Sequence, residues 1–500
     1  MTRTPRFALI IVILVLEQGC TVGPDYHAPA LPDGSAAPLV SIAPKLEIAQ
    51  DPPDDWWRLY DDKQLDLLVE RAFAANADLA VAEANLTAAR ALLEEARSGL
   101  YPATTEQAGA INGRDATKDE ILAIDGKMLT NGWMFDNVLD ISYELDLFGR
   151  VHRSIEASNA NAEAASAARD AVKITVAAET ARTYAEICAL GEQIAVAHHS
   201  LAVVAKETEI TVHRLGAGAG SEFDVVRAEA ATATIRAAIP PLEGQRRAAL
   251  FELAALLGVT PVHAPAEAEA CTKPPPLTDP IPVGSGATLL ARRPDVRFAD
   301  RQLAAATARV GVATADLYPR ISLTGLFGGA SSEPQALAAL QGLTWGIGPT
   351  ISWNFPNQTG VRARIHEARA GADGALASFD STVLRALKET ETSLTAYDFE
   401  LDHNDALKDA QSKARRAFDM SRSQFTAGAA SVLDVLAAEQ TSVAADTAVA
   451  ASDSTLIQDQ IGVFKALGGG WQRKRANSTS DVLGTPRLGA SINLSGEKQQ

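Results

Sequence analysis

From Gly149 to Leu215 the chain runs without a proline and with a single internal glycine, Gly191, and a second proline-free tract, its later copy, runs from Gly360 to Ala427. In the first tract Ile187, Leu190, Ile194, Ala197, Leu201, Val204 and Leu215 recur on three- and four-residue steps or their sums, the seam of a helix lying along a partner helix. Read as one helix, such a tract extends on the order of 90–100 Å at ~1.5 Å per residue. That is several times the diameter of a small domain, so the chain is expected to be an extended helical assembly and not a compact enzyme.

The ends of these tracts are informative. Gly216-Ala217-Gly218-Ala219-Gly220-Ser221 follows the first, and a second helix returns from there to Gly258, with Pro240-Pro241 expected to interrupt and kink it. Glycines in this arrangement invite a phosphate-loop reading, but that loop needs a strand before it, and here a helix precedes. The later tract ends at Gly428-Ala429-Ala430-Ser431 and returns to Gly468-Gly469-Gly470. The returning segments Ser221 to Gly258 and Ser431 to Gly468 have the same length, so two helical hairpins are expected.

Before each hairpin the period changes to two. Leu139, Ile141, Tyr143, Leu145 and Leu147 alternate with Asp140, Ser142, Glu144 and Asp146, predicting a strand of roughly ten residues with one wet face. Thr104 to Asn112 is a weaker partner, with a polar loop, Gly113 to Asn131, between them. In the second half Ile321 to Gly325 starts a strand. Trp345, Ile347, Ile351, Trp353 and Phe355 then alternate with Thr344, Gly346, Gly348, Thr350 and Ser352, giving the clearest strand of the chain. Each pair of strands is preceded by a helix, Lys63 to Leu100 and Asp295 to Leu317, stopped by Tyr101-Pro102 and Tyr318-Pro319.

A net charge of −17 with sparse clustering of Lys and Arg excludes nucleic acid as a partner. Arg3 and Arg6, the apolar run Phe7 to Leu16 and then Gly19-Cys20 read as an export signal. Cys20 is placed like the acceptor cysteine of a bacterial lipoprotein, with Glu17 and Gln18 where apolar and small residues are usual; the alternative is a signal cleaved elsewhere or not at all. No later stretch has the ~18 uninterrupted apolar residues of a spanning helix, so any membrane crossing falls to the strands. Two strands per half cannot close a barrel around a pore, and open edges in lipid leave backbone groups unpaired. Three chains contributing four strands each would close one.

Catalysis and metal binding find no support. His198 and His199, adjacent on a helix, diverge, as do Glu389 and Glu391, which are expected to be solvated. Cys188 and Cys271 read more readily as a small core side chain and a loop thiol than as a disulfide, a choice the sequence leaves open. No cofactor is expected.

Four stretches resemble signatures of the outer-membrane factor family, the trimeric TolC-like and NodT-like channels of Gram-negative tripartite efflux systems. They are Cys20-Thr21-Val22-Gly23-Pro24-Asp25-Tyr26, Tyr143 to Arg150 (Tyr-Glu-Leu-Asp-Leu-Phe-Gly-Arg), Leu290 to Val296 (Leu-Ala-Arg-Arg-Pro-Asp-Val) and Tyr318 to Ser322 (Tyr-Pro-Arg-Ile-Ser). The likeness runs from Cys20 to Trp471. It implies a mainly α chain with a membrane β-barrel: a homotrimer whose four strands per chain close a twelve-stranded barrel in outer-membrane lipid, above a tunnel of coiled-coil hairpins. The segments expected are 1–19 (signal), 20–62 (lipidated and extended), 63–259 (first repeat), 260–286 (proline-rich equatorial connector), 287–468 (second repeat) and 469–500 (tail).

The resemblance further implies a periplasmic adaptor protein and an inner-membrane pump, of the resistance-nodulation-division type, as partners. It also implies passive export of drugs or small solutes through a gate at the periplasmic helix tips. By position Leu433 matches the family's apolar gate residue. The acidic gate position is Ala437 in this chain, and Asp434, three residues before it, is taken as the gate carboxylate, with an ordinary role at a helix start as the alternative. Gly216, Gly218, Ser221, Gly428 and Ser431 are the expected adaptor-docking tips. An outlet for secreted proteins and a lipidated coiled-coil scaffold without a pore are the other readings.

Overall fold

The computed structural model describes residues 21–35, 37–41, 52–113, 132–277, 280–284, 286–337 and 343–469. The expected signal, Cys20, the expected loop 114–131 and the tail beyond 469 lie outside the described residues.

The two long tracts are single helices, α3 (Arg150–Gly216, 67 residues) and α7 (Thr359–Thr426, 68 residues). Each returns as a 35-residue helix, α4 (Glu222–Leu256) and α8 (Val432–Ala466). The shorter helices include α1 (Lys63–Ala75), α2 (Ala77–Ser98), α5 (Gly286–Arg292) and α6 (Pro294–Ala315). Helix, two strands and a hairpin therefore occur twice.

Three expectations about the helices are corrected. Lys63 to Leu100 is two helices, because Asn76 is extended and acts as the N-cap of α2: its side-chain oxygen accepts from Leu79 N at 3.1 Å while its amide donates to Leu256 O at 3.1 Å. Pro240 and Pro241 do not interrupt α4. Both are exposed, as are Arg236 and Ala237 four residues before them, so the carbonyls that lose their amide partners face water. Glu389 and Glu391 are not simply solvated: Glu389 accepts from Arg293 at 2.7 Å, and Glu391 accepts from the backbone of Val40 and Ser41 at 2.8 and 2.9 Å.

The strands β1 (Ala103–Gly113), β2 (Gly132–Leu145), β3 (Arg320–Ser331) and β4 (Leu343–Ser352) form one antiparallel sheet in that order. The register sets Phe327 opposite Trp345 and Leu139, and Ile321 opposite Ile351 and Leu145, so the alternating apolar residues of β2, β3 and β4 share one face. Trp345, Ile347 and Ile351 on that face are 70, 72 and 66% exposed, a surface that calls for lipid and not water. The other face is polar, with Thr324 and Thr350 hydroxyls 3.0 Å apart. On β1 the row joined to the apolar face is Thr104, Glu106, Ala108, Ala110 and Asn112, which is why its sequence signal is weak. One edge of β1 and one of β4 pair with no strand among the described residues.

The main core lies where α1 and the middle of α3 meet the ends of α4 and α8. Trp56, fully buried, stacks on Phe464 at 4.9 Å there. One 18-residue window of α3 is apolar enough to cross a bilayer, with mean hydropathy 1.4, but the helix packs along α1, α2, α4, α6 and α8. Below the sheet, the N-terminal segment is sewn to the strand–helix junction. Arg153 donates to Val22 O at 3.3 Å and to Asp25 at 2.6 Å, the Tyr26 hydroxyl donates to Asp300, and Gly23, at φ 93°, lies so close to Gly311 that a Cβ would come within 2.4 Å of its Cα.

Cys188 and Cys271 form a disulfide, with Cα atoms 4.8 Å apart, which corrects the reading as a core side chain and a separate loop thiol. The connector crosses α3 at Gly191, where a Cβ would sit 2.5 Å from Cys271 O, and this close approach brings the two sulfurs within bonding reach.

Candidate gate and docking tips

Both hairpin turns are built from the same local chemistry. At the end of α3, Gly218 takes φ 73° and the amides of Gly218 and Ala219 donate back to Leu215 O and Arg214 O at 3.0 and 2.8 Å. At the end of α7, Gly428 takes φ 76° and the amides of Gly428 and Ala429 donate to Phe425 O and Gln424 O at the same distances. A left-handed residue is needed to turn the last amides onto the helix's free carbonyls, and glycine adopts it without strain.

Ser221 and Ser431 then start the returning helices as N-caps. Each side chain accepts from the amide of the aspartate three residues on, Asp224 or Asp434, whose carboxylate accepts the serine's own amide, closing a capping box. In the second turn Asp434 Oδ2 takes the Ser431 amide at 2.9 Å and its hydroxyl at 2.7 Å. The Ser431 hydroxyl, then its amide, hold the exposed Asp434 carboxyl below the usual aspartate range. A carboxyl depressed in the folded state contributes its stability above its unfolded value near 3.8 and loses it as pH falls through the lower folded value, so the turn frays only in strong acid. Ser431→Ala, which removes the cap and keeps the charge, is expected to cost about 1 kcal/mol. Faster amide hydrogen exchange at residues 432–436 would show it; unchanged exchange would mean that the cap is not used.

The structure brings Ser431 and Leu433 to one crevice of about 200 Å³ shared with Thr211, Arg214, Ala219, Gly220 and Asp224 of the first hairpin. The Arg214 guanidinium lies 4.6 Å from the centre of the Phe425 ring, so the two turns sit side by side. Gly216, Gly218, Ser221, Gly428 and Asp434 are exposed at the same end. Sequence reasoning named Asp434 and missed its twin Asp224. The Ser-x-x-Asp spacing at 221–224 and 431–434 is the signal that finds both. Among the described residues no group of three or more metal-ligating side chains is found.

A lipid-facing sheet carried on hairpins of this length defines a membrane-embedded channel subunit with a long extramembrane extension. The sequence profile of the outer membrane efflux proteins matches residues 68–259 and 287–469, and the chain belongs to that family. It is 28% identical over 488 residues to nodulation protein T of Rhizobium leguminosarum bv. viciae, covering 97% of this chain and 98% of the relative. It is 31% identical over 433 residues to the pyoverdine export outer membrane protein OpmQ of Pseudomonas aeruginosa, covering 84 and 88%. Among solved structures, the outer-membrane channel OprN superposes with a TM-score of 0.83 at 34% identity, over 91% of this chain and 100% of that one. The protein is an outer-membrane component of an efflux system.

Proposed function

We propose that the chain works as a homotrimer, a passive conduit for drugs or small solutes from the periplasm to the exterior. The observation that carries this reading is a four-stranded sheet with a lipid-compatible face and, among the described residues, an unpaired edge on either side. In a bilayer such edges need partner strands, and the unpaired edges of β1 and β4 supply one another around a threefold axis. Lipid on Cys20 would add a second hold on the outer membrane. The tips at Gly216, Gly218, Ser221, Gly428 and Ser431 dock a periplasmic adaptor, which links the trimer to an inner-membrane pump of the resistance-nodulation-division type. Leu433 and Asp434 form the constriction, where three-fold symmetry turns each side chain into a ring. The family's members are channels, and no catalytic role is assigned.

The test is the mass of the purified protein in detergent and its conductance in planar bilayers. A trimer with small, cation-preferring conductance is expected, rising in Asp434→Ala. Ser431→Ala serves as the control, since it breaks the same capping box without removing the carboxylate. Equal conductance in both variants would assign the effect to the cap and move the gate to Leu433. A monomer with no conductance would sink the conduit.

A further inference from the structure

Glu439 lies on α8, eight residues past Ser431, and Glu207 on α3, nine residues before Gly216, both roughly 12–14 Å behind the tips at ~1.5 Å per residue. They are 3 and 2% exposed. Among the described residues neither carboxylate oxygen of Glu439 has a hydrogen-bond partner, an unusual state for a buried polar group. The charged groups that reach it are Glu207 from α3 and Arg422 from α7. Arg422, half exposed, lies 3.7 Å from Glu207. One guanidinium can balance one carboxylate; the second, buried beside it, is left without a countercharge. Burial first, and then the field of Glu207, push the Glu439 carboxyl up to about 7.

We propose that Glu207 and Glu439 form a proton-controlled latch between the two hairpins, closed while the pair holds a proton and released when both carboxylates ionise. Its role in transport rests on the tips being the gate, but the latch itself is a property of packing and is tested separately. When the hairpins part, Glu439 is hydrated and returns to an ordinary glutamate near 4.5. The packed state then binds more protons than the parted one between that value and about 7. The packed-to-parted ratio is highest in acid, falls up to about tenfold per pH unit across this window, and levels off above it.

Spin labels at Ala217→Cys and Ala427→Cys, both exposed at the turns, report the spacing of the tips in the full-length protein carrying Cys20→Ser. Cys188 and Cys271 are already paired. The expected result is a short, narrow distance distribution at pH 5 that gains a longer component by pH 8. Glu439→Gln, which keeps the shape and cannot ionise, should stay short throughout. Arg422→Gln should enlarge the long component at pH 8. A wild-type distribution that does not change with pH, or one that Glu439→Gln shares, overturns the latch. So does a response to EDTA at fixed pH, which would place a cation where the proton is proposed. Conductance on the same samples then reads the gate: labels that part without added conductance keep the latch and reject the gating role.

Discussion

Arg293→Met is expected to destabilise the protein by about 3 kcal/mol, the lower end of the cost of breaking a buried ion pair by removing one partner. Arg293, 7% exposed, stands between α5 and α6 and ties α6 to two further helices, α7 and α8. Its Nε and Nη2 grip the Asp295 carboxylate at 3.0 and 2.7 Å, a bidentate fork, and Nη2 also donates to Glu389 of α7 at 2.7 Å. Nη1 donates to the carbonyl of Ala466, the last residue of α8, at 2.9 Å, where an α-helix has no amide of its own to offer. The Glu389 side chain is 43% exposed and would be hydrated in the variant, which argues for the lower end of the range. The buried end of α8, beside the Trp56–Phe464 stack, would not. Thermal unfolding in detergent, followed by far-UV circular dichroism, should show the midpoint several degrees lower. Arg293→Lys, keeping the charge without the fork, should recover only part of the loss. A melt of Arg293→Met that overlays the wild type would show that these contacts carry no net stability.

This residue also shows what was legible in the sequence. Helix periodicity, the alternation of β2 and β4 and the twofold repeat come from neighbours in sequence, and they could be read directly. The jobs of the signature residues could not, because they are settled by partners far along the chain: Tyr26 meets Asp300, Arg153 meets Asp25, and Arg293 meets Ala466. A pattern such as Leu-Ala-Arg-Arg-Pro-Asp-Val marks the family without saying that its second arginine closes the end of another helix. The break at Asn76 is of the same kind, since the amide that fixes it reaches Leu256 in α4. At the tips the glycines were legible as turn residues, whereas the serine caps are seen only once each serine is set against the aspartate three residues on. The carboxylate pair of Glu207 and Glu439 was not, because two glutamates on separate amphipathic helices look solvated until the helices are seen side by side.

The Cys188–Cys271 bridge was illegible for that reason too, and removing it is the other change with a large expected effect. The two residues are 83 positions apart, and cross-linking them restricts the unfolded chain by an amount that grows with the logarithm of the loop, about 4–5 kcal/mol in the chain-entropy account. The contacts around the bridge are continuous with the main core. Arg246 of α4 donates to the carbonyls of Glu269 and Cys271, the latter at 2.6 Å, and the connector continues to Ile281 and Val283, buried in that core. An exported protein can keep such a bond, and a reducing cytosol would not form it. The variant Cys188→Ala/Cys271→Ala should therefore melt at a lower temperature than the wild type, and the wild type in dithiothreitol should fall to meet it, while the variant ignores the reductant. Because Cys188 is fully buried, its replacement by alanine also removes core contacts, and only the reductant comparison isolates the bond. If reduced and oxidised wild type melt together, with thiol titration confirming the reduction, then the hydrogen bonds of Arg246 and the burial of Ile281 hold the connector by themselves.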